Sequence, residues 1–308
     1  MVGPHSPGST TVIGADNFSP ELVAAVVRAT DAAAAASAAL VGDGDKNGID
    51  AAAVAAMRAG LLAAPFAGTV VIGEGEKDDA PMLANGERLG LGFGAAASAP
   101  VSAAGSDIAD YPACDIAVDP LDGTRLAAEN LPGAVCVIAL APAGTLFDPR
   151  DVFYMDKLIA GPAGVGVLSL ALPAAENVRR LADATGRGVG ELTAAVLDKP
   201  RHAALIAELQ AAGVQLRLVG EGDIGTAIEA ATPGSGLDLA LGVGGTPEGV
   251  IAACAVRALG GFMEGRLAPQ GDEQLALALA VGHDLDRVLR LDDLVASERV
   301  LFVSAPVT

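Results

Sequence analysis

The chain has 308 residues, in which 19 Lys and Arg face 38 Asp and Glu, so its formal net charge is −19. Charged residues make up only 19% of the chain and hydrophobic residues 52%, which excludes a disordered protein. A surface this negative repels phosphate backbones, so we expect neither nucleic acid nor an anionic membrane as a partner. No run of about 18 apolar residues is present to span a bilayer.

The cysteines indicate a reducing compartment. Cys114, Cys136 and Cys254 are odd in number and widely separated, and no CxxC motif is present. We expect them to be small apolar core residues, without a disulfide or a metal role. No secretory signal is visible at the N-terminus, and the predicted location is cytoplasmic.

The first half of the chain mixes helices with short strands. Residues 1–18 are rich in Gly, Ser, Thr and Pro and are predicted to be disordered. Ser19, Pro20 and Glu21 form the pattern of a helix start, and this helix is expected to run to about Val41. The other elements expected here are a helix at 49–64, strands at 69–72, 115–118, 134–141 and 155–159, and a loop at 90–112.

The second half alternates strands with helices. The helices are expected at 174–184, 201–212, 224–231 and 248–259, and the strands at 192–197, 214–219, 237–241 and 261–267. Such alternation with short connections predicts crossover units and a mainly parallel sheet. The predicted fold class is therefore α/β, layered, with two mixed α/β subdomains (residues 19–162 and 163–308), the second mainly alternating strand and helix.

Acidic side chains follow two of the predicted strands directly. Glu74, Glu76, Asp78 and Asp79 crowd the loop after strand 69–72, and a second acidic turn follows strand 115–118. Like charges this close repel, and a fold accepts that cost most readily when a cation lies among them. Carboxylate oxygens suit hard divalent cations, so the sequence predicts a Mg²⁺ or Mn²⁺ site.

The second acidic turn is the hexapeptide DPLDGT at residues 119–124. Pro120 stiffens the turn, so that Asp119 and Asp122 can converge on one group of ions. Gly123 lets backbone amides approach an anion, and Thr124 supplies a hydroxyl that can orient a water. The alternative is a solvated turn that caps a helix, which the nearby acidic loop makes less attractive.

Two basic residues and one glycine-rich turn require a choice between interpretations. Lys199 and Arg201, which flank Pro200, are candidates for holding a phosphate in a chain with few bases, and simple solvation is the alternative. Residues 220–225 spell GxGxxG between a strand and a helix, which is typical of dinucleotide binding, but two acids stand where a pyrophosphate would bind. His202 is expected to be a surface residue rather than a general base.

Two segments, GEGEKDDAPML at 73–83 and DIAVDPLDGTR at 115–125, resemble the signature motifs of the class II fructose-1,6-bisphosphatases, within the lithium-sensitive sugar-phosphatase superfamily. Five further segments resemble that family in the same order. They are GDKNGID at 44–50, YMDKLIAGP at 154–162, KPRH at 199–202, GVGGTPEGV at 242–250 and VLRLDDL at 288–294. The resemblance covers roughly residues 20–308.

The resemblance implies an α-β-α-β-α sugar-phosphatase fold, with a metal-binding subdomain at 19–162 and a substrate-binding subdomain at 163–308. It also implies hydrolysis of a sugar phosphate with Mg²⁺ or Mn²⁺ as cofactor, fructose 1,6-bisphosphate being the favoured substrate, and a homo-oligomeric assembly. The implied metal ligands are Asp50, Glu74, Asp119, Asp122 and Glu248. The implied catalytic residues are Asp78, Thr124 and Lys46. The residues implied or expected to bind the sugar phosphate are Gly123, Tyr154, Lys199, Pro200, Arg201, Glu221, Gly222, Asp223 and Gly245.

Some departures from the family pattern leave alternatives open. Glu221 stands where the family usually has Asp, the segment before DPLDGT is longer, and the segment after Arg266 is shorter. Another phosphorylated sugar, an inositol phosphate or a nucleotide therefore remains possible as substrate. A non-catalytic sugar-phosphate sensor is a further alternative, which the complete set of five acids with Thr124 argues against, and a Rossmann oxidoreductase is a third.

Overall fold

The computed structural model describes residues 9–74, 82–96, 111–150 and 152–308. The chain divides into two compact units, one formed by Met1–Leu146 with Ser297–Thr308 and the other by Phe147–Ala296. The expected boundary at 162/163 lies inside the second unit, because strand Tyr154–Ala160 hydrogen-bonds to strands of that unit. The end of the chain returns to the first unit instead, where Leu301–Pro306 pairs with Val135–Pro142.

The expected helices and strands are present in the expected order, with boundaries that differ by a few residues. The helices are α1 (Pro20–Ala38), α2 (Lys46–Leu62), α3 (Thr124–Ala128), α4 (Ala174–Thr185), α5 (Ala203–Ala212), α6 (Asp223–Ala231), α7 (Thr246–Leu259), α8 (Asp272–Ala280) and α9 (Leu291–Leu294). The strands are β1 (Thr11–Ile13), β2 (Ala67–Ile72), β3 (Arg88–Leu89), β4 (Ala113–Asp122), β5 (Val135–Pro142), β6 (Tyr154–Ala160), β7 (Thr193–Leu197), β8 (Gln215–Val219), β9 (Leu239–Gly245), β10 (Phe262–Leu267), β11 (Leu289–Arg290) and β12 (Leu301–Pro306). The structure adds elements that were not predicted, namely β1, β3, α3, α8, β11, α9 and β12.

The first unit is built on a six-stranded mixed sheet in the order β1-β12-β5-β4-β2-β3. Among the described pairs of neighbouring strands in this sheet, β2–β4 is parallel and the others are antiparallel. Strand β1 lies in the segment expected to be disordered, and it is ordered by pairing with β12. Within the loop expected at 90–112, residues 91–96 form tight 3₁₀ turns, and residues 97–110 lie outside the described part.

Helices α1 and α2 cover this sheet because both present small apolar side chains at helical spacing. Helix α1 begins where the sequence predicts, since Ser19 Oγ accepts a hydrogen bond from Leu22 N at 3.2 Å and Pro20 is the first helical residue. Gly60 of α2 lies so close to Ala29 of α1 that an added Cβ would lie 2.6 Å from the Ala29 Cβ. The two helices therefore pack in direct backbone-to-side-chain contact at this point.

The second unit contains a six-stranded sheet in the order β11-β10-β6-β9-β7-β8. Strand β7 pairs in parallel with β8 and β9, but β6 pairs antiparallel with β9 and β10. The prediction of a mainly parallel sheet is therefore wrong. Strands β9 and β10 do run in the same direction around α7, as a crossover requires, but β6 lies between them in the opposite direction.

Helices cover both faces of this second sheet. Leu158 and Ala160 of β6 join the apolar core that α4 and α5 complete, whereas Lys157 of the same strand faces α6 and α7. The architecture is a layered α/β fold. Among the described residues, no helix combines the length and apolar character that a membrane-crossing segment requires.

Candidate active site

Two of the predicted metal ligands follow neighbouring parallel strands. In the β2–β4 pair, Ile72 lies opposite Ala117, and Glu74 and Asp119 each come two residues later. Because the strands are parallel neighbours, both carboxylates lie toward the carboxyl ends of the strands, at the same end of the sheet. Glu74 is half-buried, and its backbone N–H donates to Leu83 O at 3.0 Å. The chain that returns from the acidic loop therefore fixes the position of Glu74.

A β-bulge brings Asp119 and Asp122 to one side of the sheet. Asp119 lies opposite Val137 of β5, and Asp122 lies opposite Val135, so β4 has one more residue than its partner over this stretch. Residues three apart on a regular strand face opposite sides, and the extra residue cancels this alternation. Strand β4 thus continues through Asp122, beyond the end predicted at 118, because the bulge accommodates Pro120.

The turn after β4 fixes the position of the Thr124 hydroxyl by hydrogen bonds within DPLDGT. Gly123 has a left-handed backbone (φ 80°, ψ 40°) and caps α3, whose first residue is Thr124. Thr124 Oγ1 donates a hydrogen bond to Leu121 O at 3.0 Å, while Leu121 N donates to Asp119 Oδ1 at 3.0 Å. Because the hydroxyl proton is directed into the turn, the oxygen lone pairs of Thr124 are oriented to accept a hydrogen bond.

The loop before α2 is hydrogen-bonded to the end of α3. Gly42 N and Gly44 N donate to Ala127 O and Ala128 O of α3, each at 3.1 Å. Asp45 caps α2 by accepting from the N–H groups of Asn47 and Gly48. Lys46 is exposed at the first helical position, and half-buried Asp50 lies one turn further along the same face. These hydrogen bonds join the loop before α2 to α3, the helix that follows DPLDGT.

The predicted set of metal ligands does not form a complete metal site among the described residues. Among the residues that the structure describes, no three His, Cys, Asp or Glu side chains form a group that could hold a metal ion. Asp78, with the rest of the acidic loop at 75–81, lies outside the described residues. The predicted ligand set remains a proposal, to which the structure contributes the local geometry around Glu74, Asp119 and Asp122.

In the second unit, three glycines at the end of β9 each make room for a polar side chain. A Cβ on Gly242 would lie 2.9 Å from His202 Nε2, one on Gly244 would lie 2.3 Å from Asp223 Oδ2, and one on Gly245 would lie 1.6 Å from Glu248 Oε2. Gly245 is also the residue that caps α7, in whose first turn Glu248 lies. The GVGG run thus explains how the carboxylate of Glu248 folds back against the helix start.

Arg201 and Tyr154 form one contact at this edge of the sheet. The Arg201 guanidinium lies 5.5 Å from the centre of the Tyr154 ring, and its Nε and Nη2 donate to Val243 O at 3.0 and 2.8 Å. These bonds fix the plane of the guanidinium, a group whose N–H donors suit a phosphate or carboxylate. Lys199 is half-buried and precedes the 3₁₀ turn Pro200–His202.

His202 anchors this turn and is not a surface residue, contrary to the expectation. It is only 2% exposed. Its Nε2 accepts from Val243 N at 2.8 Å, so the proton lies on Nδ1, which donates to Leu197 O at 2.7 Å. Both ring nitrogens are used to join the turn to β7 and β9. The histidine therefore fixes the backbone of the turn that contains Arg201 and follows Lys199.

The turn that spells GxGxxG lies between β8 and α6, the context expected for a nucleotide site. Gly222 has a left-handed backbone (φ 86°), and Asp223 is the first residue of α6. The Asp223 carboxylate accepts a hydrogen bond from Lys157 Nζ at 2.5 Å. Lys157 was not among the site residues predicted from the sequence. The signal that could have identified it is a lysine inside the apolar strand MDKLIA, because lysine is rarely buried unless it is paired.

Comparisons with known proteins agree with the motifs. The family model described as "Bacterial fructose-1,6-bisphosphatase, glpX-encoded" matches residues 20–308. The chain is 40% identical over 301 residues to fructose-1,6-bisphosphatase 1 class 2 of Escherichia coli strain K12, covering 94% of this chain and 84% of that protein. Its similarity to the class 2 fructose-1,6-bisphosphatase of Shigella flexneri has the same identity and coverage.

Proposed function

Since the chain belongs to the bacterial fructose-1,6-bisphosphatase family, a family of phosphoric monoester hydrolases, we propose that it hydrolyses fructose 1,6-bisphosphate to fructose 6-phosphate and phosphate. The observation that carries the proposal at residue level is the edge of the first sheet. There the β2–β4 register puts Glu74 and Asp119 at the same end of neighbouring strands, the bulge in β4 puts Asp122 on the same side as Asp119, and Thr124 follows in the next turn.

The donor set fits a hard divalent metal ion, and we propose Mg²⁺ or Mn²⁺. The side chains that would hold it are all carboxylates, the ligands that these ions prefer. They are Asp50, Glu74, Asp119, Asp122 and Glu248. When bound, such ions make a coordinated water nucleophilic and neutralise charge on the leaving oxygen.

The residues near DPLDGT would handle the attacking water and the reacting phosphate. Thr124 holds its own proton toward Leu121 O, so its oxygen can accept a hydrogen bond from the water and aim it for in-line attack. We assign the Asp78 carboxylate as the base that accepts a proton from this water. Gly123 brings backbone close to the phosphate, and Lys46 adds a positive charge beside it.

The second unit would hold the rest of the substrate. We assign Arg201 to the phosphate that is not transferred, which is supported by its hydrogen bond to Val243 O and its contact with Tyr154. Lys199, across Pro200, would be the second basic residue there. Glu221, Gly222, Asp223 and Gly245 would contact sugar hydroxyls. Acids suit hydroxyl groups because ionised carboxylates only accept hydrogen bonds.

A substrate panel tests this function. Phosphate release should be measured with fructose 1,6-bisphosphate, fructose 6-phosphate, inositol phosphates and nucleotides, in the presence of Mg²⁺ or Mn²⁺. We predict that fructose 1,6-bisphosphate has the highest kcat/KM, by about tenfold or more, since only a bisphosphate uses both the reacting centre and Arg201. A higher kcat/KM for another ester would contradict the assignment.

One observation favours a related substrate as the second candidate. Glu221 is one methylene longer than the aspartate usual in the family, and it lies in the loop proposed to contact the sugar. A different phosphorylated sugar would then lead the panel. Tight binding of sugar phosphate without turnover, with metal present, would instead indicate a sensor.

We also propose a cytoplasmic location and a homo-oligomeric assembly. The location is supported by the three cysteines, which are buried and form no disulfide, as expected in a reducing compartment. The assembly follows from the family resemblance alone. Because the net charge is −19, the contacting surfaces of an oligomer must be apolar or poor in acids.

A further inference from the structure

Lys157 is a buried cation in the middle of the second sheet. It lies on β6 among apolar residues and is 6% exposed. Neither the motif pattern nor the proposed chemistry assigns it a role. A lysine is rarely buried unless its ammonium group is paired and hydrogen-bonded, so its partners indicate its purpose.

Those partners are two residues proposed to contact the sugar. Lys157 Nζ donates to Asp223 Oδ2 at 2.5 Å and to Gly245 O at 3.1 Å. Asp223 is the first residue of α6, and Gly245 caps α7. One ammonium group thus joins the starts of two helices at the edge of the sheet where the sugar is proposed to bind.

The neighbouring backbone is shaped around this contact. A Cβ on Gly244 would lie 2.3 Å from Asp223 Oδ2 and 2.8 Å from Lys157 Nζ. We propose that Lys157 is a positioning residue that sets the orientation of the Asp223 carboxylate and thereby the affinity for the sugar portion of the substrate. The inference rests on the proposed function, because it assumes that Asp223 contacts substrate.

The position of Gly245 is less dependent on Lys157. Gly245 is also held by its register with Tyr154 across the β6–β9 pair, whereas the Asp223 side chain is held by the lysine. Loss of Lys157 should therefore change the orientation of the Asp223 carboxylate more than the backbone position of Gly245 at the start of α7. The expected signature is an increase in KM with little change in kcat, which marks a loss of uniform binding.

Two variants test the inference from different directions. Lys157→Met removes the ammonium group, and Gly244→Ala leaves every charge in place but inserts a methyl group into the contact. We expect each variant to bind the product, fructose 6-phosphate, about tenfold more weakly in titration calorimetry with Mg²⁺ present. The KM for fructose 1,6-bisphosphate should rise by a similar factor, with kcat within about threefold of the parent value. Calorimetry decides the question even if the protein releases no phosphate, which is the separate failure of the proposed function.

A double-mutant cycle and a matched control separate positioning from a general structural role. Since Lys157 acts through Asp223, adding Lys157→Met to Asp223→Asn should weaken binding little beyond Asp223→Asn alone. The control is Arg187→Met, which breaks the ion pair of Arg187 with Asp238 just before β9 and should leave affinity and KM unchanged. Unchanged affinity in a folded Lys157→Met protein, multiplicative effects in the cycle, or no binding by the parent protein would each overturn the inference.

Discussion

Glycines with close polar neighbours are the residue-scale feature that shapes the proposed substrate site. Gly242, Gly244 and Gly245 have different neighbours, and each lacks a side chain where an imidazole or a carboxylate approaches the backbone. A Cβ at any of them would fall within 3.0 Å of a polar atom. The run is therefore required by packing around the site rather than by strand formation, which glycine weakens.

Gly245→Ala should reduce activity strongly. The new Cβ would lie 1.6 Å from Glu248 Oε2, so the proposed metal ligand must move. We expect kcat/KM for fructose 1,6-bisphosphate to fall by about a hundredfold, as for a catalytic group displaced by about 1 Å. The control is Gly190→Ala, because the nearest atom to a Cβ there lies 3.6 Å away. Equal activity in the two variants would contradict the assigned role of Gly245.

The cysteines should be unreactive in the folded protein. Burial raises the pKa of Cys114 to about 11 and that of Cys136 to about 12, and Cys254 is fully buried. At pH 8 the two shifted thiols are almost wholly protonated, and the thiolate is the reactive form. Ellman's reagent should therefore detect no thiol in the native protein and three after unfolding. Rapid labelling before unfolding would contradict this burial.

Residues in local motifs were predictable, and residues defined by tertiary contacts were not. Asp119, Thr124 and Arg201 stand in short patterns whose chemistry can be inferred from neighbouring residues. Lys157 and His202 gain their roles only because β6, β7 and β9 lie side by side. No spacing in the sequence reveals that strand pairing. Lys157 was therefore overlooked, and His202 was predicted to lie at the surface.

At the scale of elements, the β4 bulge shows how a strand can present two proposed metal ligands, three residues apart, on one side. Proline in DPLDGT indicates the end of a strand, and the prediction stopped β4 at residue 118. In the structure β4 continues to Asp122, and the extra residue turns Asp119 and Asp122 to one side. A bulge depends on register with β5, which is distant in sequence and could not be predicted locally.

Strand β12 should be essential to the stability of the first unit. It lies between β1 and β5, and Phe302 within it is fully buried. We expect Phe302→Ala to lower the free energy of unfolding by about 3–5 kcal/mol, through lost burial and the cavity left behind. Ser304→Ala, at a half-buried position of the same strand, should change it by less than about 0.5 kcal/mol. Urea unfolding measures both, and similar values would contradict the central position of β12.

At the scale of the whole molecule, strand–helix alternation predicted the elements but not the order of the strands. The crossover from β9 through α7 to β10 is present, as the pattern indicates, yet β6 lies between the two strands. Likewise, the last strand of the chain returns to the first unit. Both features depend on which strands meet, and periodicity within one segment contains no information about that choice.

The net charge of −19 sets a condition on the proposed chemistry. A phosphate ester is itself an anion, so a protein with few bases repels it unless positive charge is supplied locally. Arg201, Lys199 and Lys46, which we propose contact the substrate, would supply part of it, and the metal ions proposed at the carboxylates would supply the rest. We therefore expect little substrate binding in the metal-free protein.

The most direct test of the account is phosphate release from fructose 1,6-bisphosphate as a function of added Mg²⁺ or Mn²⁺. The account predicts activity that a chelator abolishes, that added metal restores, and that Glu74→Gln and Asp119→Asn each reduce by at least about a hundredfold. The exposed Glu21→Gln variant serves as the matched control and should retain full activity. Full metal-dependent activity in both carboxylate variants, or undiminished activity in the chelator, would contradict the central claim.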